Sequence, residues 1–212
     1  MNPLILTAIG CGLIFCLWLV GRMTNAMLCL KTAGTVCFIT NLKRPKRFDT
    51  VAYRVVVPMR GKTMLIHRIC GVPGDVVEIK SGILFVNGKN ADGELRLKHI
   101  YKVSQQHAAD LEYKEEEAYT IPPYTDTLYV PLEERVVKKE GLPCARYILP
   151  AGLRDEEIFR TYQKSWNIDN FGPLRIPSKK FFVLGDNRGR SQDSRFLGFI
   201  DQNKVVGTVL WK

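Results

Sequence analysis

The sequence predicts a mainly β protein, with a β core interrupted by an inserted cap subdomain and preceded by one N-terminal transmembrane helix. Three features point there. Residues 3–20 form an uncharged, almost wholly apolar run. Short β-branched and aromatic segments then follow one another, separated by compact turn signals. Between about residues 91 and 170 the character changes to acidic and proline-bearing text, before strand-like text returns. The expected boundaries are 1–21 for the anchor, 22–90 together with 171–212 for the core, and 91–170 for the cap. A chain of 212 residues accommodates one sizeable domain with an insertion.

The anchor comes first. At ~1.5 Å per residue its apolar run reaches roughly 27 Å, close to the ~30 Å hydrocarbon core of a bilayer. Trp18 suits the membrane interface and Arg22 closes the segment. No Lys or Arg precedes the run and no A-x-A site follows it, which disfavours a cleaved signal peptide. The formal net charge is +10. With no basic helix and no RNP-like aromatic pattern, nucleic acid is not an expected partner, and anionic membrane lipid is. The basic cluster KRPKR at 43–47 reads either as juxtamembrane charge or as a solvated turn. A naive positive-inside count over Arg22, Lys31 and this cluster would leave the following domain in the cytoplasm, although large domains translocate largely regardless of charge.

Strands are expected at 35–39 (TVCFI), 50–57 (TVAYRVVV) and 64–69 (MLIHRI). A turn at 73–75 (PGD) leads to VVEI at 76–79 and ILFV at 83–86, which flank Ser81-Gly82, and Asn87-Gly88 marks a further hairpin turn. In the cap, 110–117 (DLEYKEEE) is acidic, Pro122-Pro123 breaks the chain, and 155–160 (DEEIFR) suits a short helix. FGPLRIP at 171–177 returns to sheet text. KFFVL at 180–184 and VVGTVLW at 205–211 then bracket a polar crossing, GDNRGRSQDSRFLGFI at 185–200. Six scattered cysteines show neither C-x-x-C nor Cys/His ligand spacing, so no metal site and no other cofactor is expected, and buried free thiols are the default. His99 and His107 lack partner spacing and read as surface residues.

The motifs resemble those of type I signal peptidases. HRICGVPGD at 67–75 is similar to that family's K-R-x-x-G-x-P-G-D box, and GILFVNG at 82–88 to its G-x-L-x-V-N-G text. The crossing at 185–200 matches G-D-N-R-x-x-S-x-D-S-R-x-x-G at every specified position, and Gly172-Pro173 with Pro177 resembles the G-P-x-x-V-P approach to it. The resemblance implies a serine peptidase scaffold on the outer face of the bacterial cytoplasmic membrane, taking signal peptides of exported preproteins as partners. It implies a serine nucleophile and a lysine base. A serine hydroxyl needs a base to take its proton, and a lysine can be that base only if burial lowers its pKa.

The chain departs from the family at both positions. In MTNAMLCLKTAGT at 23–35, Met27 and Gly34 hold the register, Ala26 falls on the nucleophile, and Cys29-Leu30 replaces the usual Pro-Thr. His67 falls on the base; histidine serves there in the endoplasmic-reticulum type, so that change alone does not abolish activity. The resemblance places Thr24 at the oxyanion hole, beside the backbone N–H of position 26, and Ser191 at the position that orients the base. It places Asp193 and Arg195 in a charged pair beneath the site, with Asp186 and Arg188 bracing the turn. Three readings follow. One is a non-catalytic homologue that binds preproteins or serves as a subunit beside an active signal peptidase or in another envelope complex. The second is an active peptidase using Thr24 with His67, or one whose serine was deliberately replaced by alanine. The third is a purely structural subunit.

Overall fold

In a computed structural model of the chain, the described residues are 27–32, 35–57, 60–108, 111, 118–121 and 124–211. The expected anchor at 1–21 lies outside them, as do Thr24 and Ala26. Among the described residues no helix is long and apolar enough to cross a membrane.

Among the described residues the architecture is mainly β, in three antiparallel sheets. The largest has seven strands in the order β1-β2-β15-β3-β4-β13-β14. These are β1 (Met27–Thr32), β2 (Thr35–Thr40), β3 (Thr50–Val57), β4 (Gly61–Gly71), β13 (Lys180–Leu184), β14 (Ile200–Asp201) and β15 (Val205–Trp211). A second sheet orders β12 (Phe171–Arg175), β5 (Val76–Lys80), β6 (Ile83–Val86) and β7 (Lys89–Asn90). The third, within the expected cap, orders β11 (Cys144–Arg146), β8 (Lys98–Ser104), β10 (Tyr124–Glu133) and β9 (Tyr119–Ile121). Among the described residues four short α-helices accompany them: α1 (Gln105–Ala108), α2 (Glu134–Glu140), α3 (Glu156–Tyr162) and α4 (Ser194–Leu197).

Local chemistry accounts for the hairpins. Ser81 and Gly82 have φ of 47° and 72°, and Asn87 and Gly88 have 51° and 78°. Two consecutive positive φ values make the tight hairpin turn whose twist matches the flanking strands, and Asn-Gly is its preferred dipeptide. Strands β5 and β6 alternate buried and part-exposed residues, as strands with one covered face do.

Strand β13 is buried on both faces and divides two cores. Phe182 and Leu184 join Cys70, Val77, Ile79, Leu84, Phe171 and Ile176 on one side, while Phe181 and Val183 join Val51, Tyr53, Ile69 and Ile200 on the other. The same period of two sends neighbouring Ile69 and Cys70 of β4 into opposite cores. The third sheet has its own cluster around Tyr101, Val103, Val130 and Leu132. Helix α3 packs elsewhere, its buried Ile158 entering the core of β5, β6, β12 and β13 with Tyr162 and Trp166 alongside.

One expectation for a single residue needs correction. His99 is not a surface residue but is 4% exposed on β8, held by partners distant in sequence. The 43–47 cluster is partly spent within the fold: Arg47 clamps Asp75 at 2.6 Å and Lys43 meets Asp49 at 2.9 Å. His107 is exposed, with its ring nitrogen 2.7 Å from the Ser104 hydroxyl.

Candidate active site

The site is built where β3, β4 and the polar crossing meet. In β3–β4 the register pairs Val51 with His67 and Tyr53 with Leu65. Directly opposed residues share a face, so Tyr53 and His67 are diagonal neighbours on one side of the sheet. The Tyr53 hydroxyl lies 2.9 Å from His67 Nδ1. Gly185, just past β13, closes the other side of His67. A methyl group on Gly185 would lie 3.4 Å from His67 Cδ2 and only 1.7 Å from Ser191 Oγ, so the lack of a side chain there lets Ser191 approach the backbone. Burial holds the His67 imidazole below its ordinary value; the carboxylate of Asp193 opposes that shift and the Arg195 guanidinium adds to it.

Beneath this surface lies a buried ionic layer. Asp193 and Arg195 are 0% and 1% exposed. Arg195 donates to both Asp193 oxygens, from Nε at 2.9 Å and from a terminal nitrogen at 2.8 Å. The Gly185 backbone N–H donates to the same carboxylate at 3.0 Å, and Arg195 reaches on to the Arg188 carbonyl at 2.7 Å. Burial opposes ionisation of Asp193, but the Arg195 charge and these hydrogen bonds prevail and hold its carboxyl below the usual range.

Two further pairs fix the crossing. Asp186 accepts from Arg68 at 2.8 and 2.6 Å, tying the loop to β4 beside His67. Arg188 donates to Asp92 at 2.8 and 2.6 Å, tying it to the segment after β7. Lys98 adds backbone bonds, donating to the Asp186 carbonyl and accepting from Arg188 N, each at 2.9 Å. The Ser191 hydroxyl donates to the Asn187 carbonyl at 2.7 Å, and the hydroxyl that meets His67 is that of Tyr53.

The structure therefore brings His67, Ser191, Asp186, Arg188, Asp193 and Arg195 around one loop, while Thr24 and Ala26 lie outside the described residues. Sequence reading missed Tyr53, Arg68 and Asp92. Tyr53 was findable, since strands at 50–57 and 64–69 joined by a short connection bring 53 near 67. Asp92 carried no such signal, because its partner is 96 residues away. Two boxes read apart in the sequence also prove to be one cluster: the Asn87 amide donates to Asp75 at 2.8 Å, and Asp75 accepts the Val72 N–H at 2.9 Å. Among the described residues no group of His, Cys, Asp and Glu is arranged to hold a metal.

These features define a β scaffold whose polar crossing is mounted on a buried ion pair beneath a histidine-bearing strand. The sequence matches the family described as "Signal peptidase, peptidase S26" over residues 4–212, and the chain belongs to that family. It is 31% identical over 144 residues to Signal peptidase I of Bacillus licheniformis, covering 68% of this chain and 47% of that protein. It is 30% identical over 149 residues to Signal peptidase IB of Staphylococcus aureus, covering 69% of this chain and 51% of that protein. The matched stretch thus spans about half the length of these relatives. A solved signal peptidase I from Enterococcus faecalis V583 is 24% identical with a TM-score of 0.38, covering 79% of this chain and 98% of that chain.

Proposed function

We propose that this protein is a non-catalytic signal peptidase homologue, anchored in the bacterial cytoplasmic membrane with its β domain on the outer face. It holds signal peptides of exported preproteins, alone or beside an active signal peptidase. The observation that carries this reading is Ala26 at the nucleophile position: a methyl group cannot attack a carbonyl. The intact ion pairs under the 185–200 crossing support the binding half, because they preserve the loop without supplying a nucleophile. An extended peptide can still add to such a scaffold through main-chain hydrogen bonds.

The test is incubation of the full chain, in membranes, with a preprotein, followed by mass spectrometry of the products and a binding measurement with the isolated signal peptide. Binding without a cleaved product is expected. Cleavage that disappears in Thr24→Val would overturn the reading in favour of an active Thr24/His67 enzyme. A serine codon at position 26 in the source gene would show that the alanine is not native. For placement, external protease should digest the domain without permeabilisation of the cytoplasmic membrane.

A further inference from the structure

We infer that Tyr53 fixes the tautomer of His67, placing the imidazole proton on Nε2, so that His67 offers the site a hydrogen-bond donor rather than a base. The Tyr53 side chain is fully buried, with a relative exposure of 0%. Its phenol must keep its proton, since burial pushes its ionisation well above the ordinary value. A buried O–H needs an acceptor, and among the described residues the one it reaches is His67 Nδ1 at 2.9 Å. The phenol therefore donates, Nδ1 accepts with its lone pair, and a neutral imidazole must carry its proton at Nε2. Desolvation keeps His67 neutral near pH 7, so a doubly protonated ring does not intervene.

The consequence follows from ring geometry. Cδ2, the carbon bonded to Nε2, is the His67 atom that a methyl group on Gly185 would meet at 3.4 Å, so Nε2 is one bond from that contact. An N–H there can hold a carbonyl oxygen of a docked peptide. It cannot remove a proton from a hydroxyl, because the lone pair it would need is the one engaged by Tyr53. Exchanging the tautomer would leave the buried phenol proton without an acceptor, a bias on the order of tenfold or more. Tyr53 is thus a positioning residue that acts through His67.

This deepens the non-catalytic reading and is tested separately from it. The full chain, labelled with 15N-histidine and held in lipid nanodiscs at pH 7.5, is examined by long-range 1H–15N NMR. It has three histidines, and His67→Gln identifies the signals of position 67. The expected spectrum shows an acceptor-type Nδ1 and a protonated Nε2, and Tyr53→Phe moves both nitrogens toward an averaged mixture. A protonated Nδ1 with a free Nε2 in the parent would overturn the inference, as would an unchanged spectrum in Tyr53→Phe. If that variant does not fold, the parent spectrum decides alone. A protonated Nε2 in a protein that nevertheless cleaves would overturn the functional reading and leave the tautomer assignment standing.

Discussion

Asp193 has no exposed surface, yet its carboxylate is satisfied from three directions: the Arg195 side chain, the Arg195 backbone N–H at 3.1 Å and the Gly185 N–H at 3.0 Å. A charge in that position is tolerated only because its partner is equally buried and correctly oriented. Asp193→Asn keeps the shape but strands the Arg195 cation and weakens the bond that seats Gly185 against Ser191. The expected loss is about 3–5 kcal/mol, the range for breaking a buried pair by removing one partner. It is read from the denaturant midpoint of the full chain in a fixed detergent. An unchanged midpoint would mean that the pair is replaceable and does not hold the crossing.

At the scale of elements, helix α3 links the segment before β12 to the polar crossing. Asp155 caps it, accepting from Glu157 N at 2.9 Å and Ile158 N at 3.0 Å. The Tyr162 hydroxyl then donates to the Ser194 carbonyl at 2.5 Å, and Thr161 donates to the Phe196 carbonyl at 2.6 Å. A short helix of seven residues holds poorly by itself, so its cap and its tertiary anchors decide its occupancy. Asp155→Ala is expected to cost about 1 kcal/mol, seen as a lower thermal midpoint, with Asp155→Ser restoring most of it. Equal losses in both variants would show that the cap bonds are not the cause. This helix also shows what the sequence makes legible. The run DEEIFR announces a capped helix because capping is local chemistry, and Asn87-Gly88 announces a hairpin for the same reason. The Tyr162–Ser194 bond, spanning 32 residues, has no local signature. The site divides along the same line. The run at 185–200 is readable as a motif, but the partners that orient it, Arg68 of β4 and Asp92 in the segment after β7, lie far away in sequence and emerge only with the fold.

At the scale of the molecule, His99 stands at the seam between the third sheet and the β5–β6 hairpin. Arg146 of β11 donates to His99 Nδ1 at 2.8 Å and to the Gly82 carbonyl at 2.8 Å, while Glu134 of α2 lies 3.7 Å from Nε2. A guanidinium has no lone pair to offer, so Nδ1 must remain unprotonated and the proton sits on Nε2, toward Glu134. Burial first, and then the Arg146 charge, lower the His99 value from 6.5 to about 3. The Glu134 contact would favour the charged form, but it is long and does not compensate. His67 is lowered from the same 6.5, chiefly by its own burial. Both rings therefore bind a proton less readily folded than unfolded. Their contribution to stability is complete above pH 6.5 and declines as the pH falls below it. For His99 the decline continues down to about pH 3, at up to about 1.4 kcal/mol per pH unit. Thermal midpoints of the full chain at pH 7, 5.5 and 4 should fall progressively. His99→Gln should lower the midpoint at pH 7 and flatten the descent. A descent equally steep in His99→Gln would assign the acid sensitivity to His67 and the buried carboxylates instead.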